Sequence, residues 1–310
     1  MRRARSLRCG AVAVALAMLL AGCATAPAWR DDVVAAIAAA RAEGQELVVF
    51  FALPGRDTSD RMQRSLTDVV VLDALADGGF AAAMADGVAR KNLYAAWVGF
   101  GEGMGIAVLG VDGQCHAARP GPQDPEELAA FLRLCAAQRP ALAAARGAVV
   151  GERPDPQAQH ALGCLYLQLG RTKLAEPLLL DAATAGVADA RHRLARLYAL
   201  DGSLGSARRW LVHAPKTGPA RVTEGYVLFK ERKHHEAVAV LDAAVRAGDL
   251  GDDRQRALLY LGKALHEDRQ DERAVSLLTA LAAEGTGSTF EAAARHTLSH
   301  LRDPSHGHTH

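Results

Sequence analysis

Cysteine and histidine are the residues here whose types could carry chemistry, and their spacing decides which chemistry. Five cysteines occur in 310 residues, and no two of Cys9, Cys23, Cys115, Cys135 and Cys164 form a CxxC pair. Thiol redox work needs a resolving thiol close by and a lowered pKa, typically at a helix N-terminus. Cys115 and Cys135 fall on a strand and on a helix of one unit, so a structural disulfide between them stays open beside their reading as small buried hydrophobes. Cys164 has the second reading. Of twelve histidines, His296 and His300 are spaced i,i+4 and His306, His308 and His310 alternate at the end of the chain. Such a cluster could take Zn²⁺, Cu²⁺ or Ni²⁺. No carboxylate follows Asp303, so a solvated tail is expected, with no metal and no cofactor. No HExxH, Walker loop, dinucleotide fingerprint or Ser-His-Asp arrangement stands in its required context.

These groups must be positioned by folded elements, and the chain has the composition for them. Half of it is hydrophobic, 23% is charged and the formal net charge is +1. A chain of this length suggests two domains, and the balance gives no reason to expect nucleic acid. The charge is uneven. Residues 1–22 carry four arginines and no acid; without them 32 basic residues face 35 acidic ones. A basic start, an apolar run from Gly10 to Ala21 and a small-residue site make a targeting segment too short to span a bilayer comfortably. Its end, Leu20-Ala21-Gly22-Cys23, resembles the lipobox of bacterial lipoproteins. That resemblance implies cleavage after Gly22, lipidation of Cys23, and a place in the envelope on the outer membrane, facing the periplasm. Residues 23–29 would be a tether.

From 30 to 138 helix and strand alternate. Glu46 to Leu53 reads as a buried central strand, Asp57 to Asp77 as a helix broken near Asp68, Phe80 to Met84 as a short strand, and Cys115 to Ala118 as half of a hairpin across Asp112-Gly113. Pro125 to Ala137 reads as a helix with proline in its first turn. With Val48-Val49-Phe50-Phe51-Ala52, Met62 and the hairpin, this order resembles the thioredoxin fold. The resemblance places Arg56-Asp57-Thr58-Ser59 where active members carry CxxC, and Met104 where they carry a cis-proline. Both features are missing, so no disulfide exchange is expected there, and Ser59 is expected as a helix N-cap.

After a linker at 139–156, residues 157–301 are helical throughout. Ala175, Ala207, Ala237 and Ala274 recur at 32, 30 and 37 residues, near a 34-residue period. With Leu162-Gly163, Leu194-Ala195, Gly225 and Leu261-Gly262 on the preceding helices, the segments resemble tetratricopeptide and Sel-like repeats, closed by a capping helix from Glu291 to Leu301. The family's register projects His160, His192, Arg196, Tyr226, Phe229, Lys263 and His266 into a groove for a peptide or carboxylate. Residues 302–310 are the His-rich tail.

The expected whole is an α/β thioredoxin-like domain followed by an all-α tetratricopeptide-like solenoid. The expected function is a non-catalytic protein–protein interaction scaffold, anchored to a membrane and binding a protein or peptide. The alternatives are a thiol-disulfide oxidoreductase or chaperone-like protein, and a metal-handling lipoprotein using the histidine tail.

Overall fold

The computed structural model describes residues 27–99 and 103–302. Cys23, the signal-like segment and His306, His308 and His310 lie outside the described residues. Among the described residues no helix is long and apolar enough to cross a membrane.

The N-terminal unit is a five-stranded sheet of β1 (Trp29–Arg30), β2 (Glu46–Ala52), β3 (Phe80–Asp86), β4 (Gly105–Leu109) and β5 (Cys115–Pro120), in the order β1-β3-β2-β4-β5. β3 runs parallel to both β1 and β2, while β4 and β5 are antiparallel additions. The run Leu-Val-Val-Phe-Phe puts alternate side chains on opposite faces, and both faces are covered. Val48 and Phe50 meet α2 (Asp57–Ser65), α3 (Val69–Asp77) and α5 (Pro125–Ala148). Leu47, Val49 and Phe51 meet α1 (Val33–Glu43) and α4 (Lys91–Trp97). Two-sided burial is why this strand is continuously apolar rather than alternating. The break expected near Asp68 is real: its carboxylate accepts the Val70 N–H at 3.0 Å and caps α3.

Two expectations change here. Ser59 is not an N-cap. Arg56 takes that position without a side-chain cap, and Ser59 lies one turn inside α2, 1% exposed, its hydroxyl oxygen accepting the Leu53 N–H at 2.8 Å. The stretch from 139 is not a linker until after Ala148, because α5 continues through Pro140. Arg139 explains this: it bonds Glu46 at 2.9 Å and the Gly78 carbonyl at 2.9 Å, so the helix is fastened to the sheet where the sequence reads as a break.

The C-terminal half is four helix pairs and a closing helix: α6 (Pro156–Gln168) with α7 (Thr172–Thr184), α8 (Ala188–Leu200) with α9 (Leu204–Val212), α10 (Gly218–Lys230) with α11 (His234–Ala247), α12 (Arg254–Glu267) with α13 (Asp271–Ala282), then α14 (Thr289–Arg302). Ala175, Ala207, Ala237 and Ala274 are all fully buried at the pair contacts. One contact recurs: Gly163 lies against Leu179, Gly225 against Leu241 and Gly262 against Leu278. A Cβ on Gly225 would stand 2.4 Å from Leu241 Cγ, and Leu241 has no exposed surface into which to retreat. Gly225→Ala is therefore expected to cost about 1–3 kcal/mol by overpacking, despite alanine's better helix propensity. Thermal unfolding checks this, and an unchanged or raised midpoint would show that the pair can part freely.

The even-numbered helices α6, α8, α10, α12 and α14 form an inner layer, each packed on the next, and α5 packs against both α6 and α14. The inner layer is thus a closed ring with α5 as its sixth stave. The α6–α7 turn also reaches the sheet, where the Ala118 N–H of β5 donates to the Leu169 carbonyl at 2.9 Å. That bond occupies an otherwise open strand edge.

Candidate functional site

The polar residues of the inner layer form one network. Asp189, in the first turn of α8, is 3.1 Å from His160 Nε2 on α6, 3.0 Å from His192 Nδ1 and 3.3 Å from Arg193 Nε. Cys164, one turn after His160, places its sulfur 3.4 Å from the same Nε2. The Cys, His and Asp groups share one ring nitrogen instead of using both, so the geometry is not that of a nucleophile relayed through imidazole to a carboxylate.

A second carboxylate, Asp253, follows from a 3-10 turn, Gly251–Asp253, just ahead of α12. It is 4% exposed, and Arg196 Nη1 donates to its Oδ1 at 2.7 Å. Arg256 Nε lies 3.3 Å from the same oxygen and Arg193 Nη1 3.6 Å from Oδ2. Three guanidiniums therefore share Asp253. Next to them Tyr226 and Tyr260 stack with centroids 4.5 Å apart, and Phe229 stands 6.0 Å from Tyr260.

The groove residues read from the sequence separate here. His192 is fully buried, Arg196 is 2% exposed and Tyr226 6% exposed. They are buried on helices of the ring that α5 and α14 close, so they are not an open surface. His160, Phe229, Lys263 and His266 keep accessible area. His266 instead turns to Asp271 on its own helix pair, at 2.6 Å. The signal that sequence reading missed is Asp253, which reads as a solvated helix start and is the hub of the network.

Titration follows from this packing. The Asp189 hydrogen bond, followed by Cys164, pushes His160 up to about 9, whereas burial pulls His192 down. Asp189 is held far below the usual carboxylate range, the hydrogen bonds and charges of His160, His192 and Arg193 outweighing the opposing effect of burial. A raised folded-state pKa stabilises the protein fully below the ordinary value near 6.5, and this is lost as pH climbs to about 9. Wild-type stability is expected to fall by about 1–3 kcal/mol across that window, allowing for partial exposure of the ring. Urea unfolding at both ends of the window checks this. If His160→Gln shows the same slope, His160 is not the titrating group.

Ser59 and the stretch before β4 both lie near Leu53, just after β2. Ser59 bonds Leu53, a Cβ on Gly103 would lie 3.1 Å from Leu53, and the carbonyl of the next residue, Met104, accepts the Tyr94 hydroxyl at 3.1 Å. Arg56, Ser59 and Met104 bring no thiol there, and no peptide bond among the described residues is cis. Cys115, Cys135 and Cys164 are free. Cys115 belongs to the core on one face of the sheet and Cys135 to the core on the other, so the disulfide left open by the sequence is not formed. Burial pushes the Cys115 thiol up to about 11 and Cys135 higher still, the opposite of a reactive thiol.

His296 Nε2 and His300 Nε2 are 3.1 Å apart, and Asp124 holds His296 Nδ1 at 3.2 Å. Among the described residues no group of three His, Cys, Asp or Glu side chains is arranged to hold a metal ion. A cleft of about 480 Å³ lies elsewhere, beside β1, and its Arg30 and Glu43 pair with each other at 3.7 Å.

No family model and no curated protein matches the chain. Two solved structures are similar to part of it, both of the nearly identical TPR-like repeats of a kinesin light chain candidate from Podosopora anserina. One, a glutamine-to-methionine form, is 20% identical with a TM-score of 0.32, covering 51% of this chain and 86% of that one. The form without that substitution is 19% identical with a TM-score of 0.31, covering 56% and 89%.

Proposed function

We propose that this protein is a lipid-anchored envelope protein with no catalytic role, whose helical repeats hold a protein or peptide partner against a redox-inactive thioredoxin-like domain. The observation that carries the reading is the closed inner layer. Sheet unit and repeats make one continuous body through α5, α14 and the α6–α7 turn, which suits a platform better than a hinged enzyme. The strand order with two antiparallel additions supports a thioredoxin-like reading of the first unit. The lack of a thiol at Arg56, Ser59 and Met104 supports its redox inactivity. Phe229 and Lys263 are among the inner-layer groups that keep accessible area for a partner.

Crosslinked capture from membranes tests the binding role. Wild type is compared with Phe229→Ala/Lys263→Glu, which is expected to lose the captured partner while keeping its fold. An unchanged set removes the inner layer from the reading. Cys23→Ser is expected to leave the membrane fraction, and retention there overturns lipid anchoring. One observation favours a second reading, a thiol-disulfide role: the contact of Cys164 with His160. Insulin reduction that disappears in Cys164→Ser would replace the scaffold by that role.

A further inference from the structure

In the ring interior three guanidiniums surround one buried carboxylate, while Glu127 of α5 acts on Arg119 and Lys263. Arg193, Arg196 and Arg256 share Asp253, and Arg193 alone has a second carboxylate, Asp189. Arg196 is 2% exposed, yet its Nε has no hydrogen-bond partner, whereas Arg256 Nε lies 3.3 Å from Asp253 Oδ1. A fourth cation comes from the other unit. Arg119, on β5, has no ion-pair partner among the described residues and lies over the Phe131 ring of α5, its carbon 4.9 Å from the centroid. Arg119, Arg256 and Arg196 all exert their charge on Tyr260. Arg119, Arg256 and Tyr260 nonetheless keep accessible surface.

We propose that the interior of the ring, between β5, α8 and α12, is a binding site for a small oxyanion, a phosphate or a carboxylate, held by Arg119, Arg196 and Arg256 around Tyr260. Guanidinium groups present paired N–H donors that match two oxygens of such an anion, and the unpartnered Nε of Arg196 supplies a donor that the protein leaves empty. A buried donor left unmade is costly, and so is the crowding of buried like charges; one oxyanion relieves both. Burial and neighbouring Arg256 pull Arg196 down to about 9, and burial pulls Arg119 down as well. At neutral pH Arg196 remains charged, so the demand for an anion persists. Arg119 gives the site a second consequence: its ligand bridges the sheet unit and the repeats. The site uses neither Phe229 nor Lys263, so it does not rest on the partner proposed above.

Calorimetric titration of the purified full chain with inorganic phosphate, and separately with succinate, at constant ionic strength in chloride buffer tests this. Saturable one-to-one binding of at least one anion is expected. Arg119→Gln is expected to weaken it tenfold or more while the unliganded protein still folds, as its unfolding transition and circular dichroism check. Arg256→Gln should weaken it similarly, and Arg208→Gln on the outer helix α9 should not. Phosphate binding without succinate binding identifies a phosphate ligand, and the reverse a carboxylate. The proposal is overturned if neither anion saturates, or if Arg119→Gln binds as tightly as wild type. Should Arg256→Gln fail to fold, Arg119→Gln decides alone.

Discussion

Asp253→Asn is expected to destabilise the protein by about 3–5 kcal/mol, the cost of removing one partner from a buried ion pair. The side chain is 4% exposed and is the shared counter-charge of Arg193, Arg196 and Arg256. Asparagine keeps the shape and removes the charge, so three guanidiniums then repel one another where water cannot screen them. Urea unfolding should show a lower midpoint with an unchanged slope. The companion Asp253→Asn/Arg196→Met should recover part of the loss, because the uncompensated cation leaves with its partner and an apolar chain of similar length fills the space. A loss below about 1 kcal/mol for Asp253→Asn would mean that the guanidiniums are compensated elsewhere.

Gly170→Ala is expected to cost about 2–4 kcal/mol and to loosen the repeats from the sheet. Gly170 has φ +77°, and an added Cβ would lie 2.1 Å from the Ala118 carbonyl oxygen, a backbone atom that cannot step aside. The turn it occupies brings the Leu169 carbonyl to the Ala118 N–H. Displacing it frees the β5 edge, so hydrogen exchange at the Ala118 amide should accelerate more than exchange in the centre of β2. Gly121→Ala is the comparison: φ is +79° with open space around it, so only the backbone cost of about 1 kcal/mol applies. Equal effects for the two substitutions would show that the contact with β5 carries no strain.

Much of the fold was legible in the sequence because its signals are local. The apolar run of β2, the Asp68 cap and the small residue facing a leucine in each helix pair depend on neighbours within a few turns. Pro140 misled for the same reason. A proline breaks a helix locally, but the Arg139 bonds to Glu46 and Gly78 hold this one in place from far along the chain.

By itself the sequence determined the order of elements, the lack of CxxC and the helical periodicity that sets which residues share a face. Only the tertiary structure decided what that face meets. Ring closure by α5 and α14, and the arrival of Asp253 from the end of a 3-10 turn and Arg119 from β5, turn an expected open groove into an enclosed, cation-rich interior. Contacts that close a ring join residues far apart in the chain, and no periodicity along it encodes them.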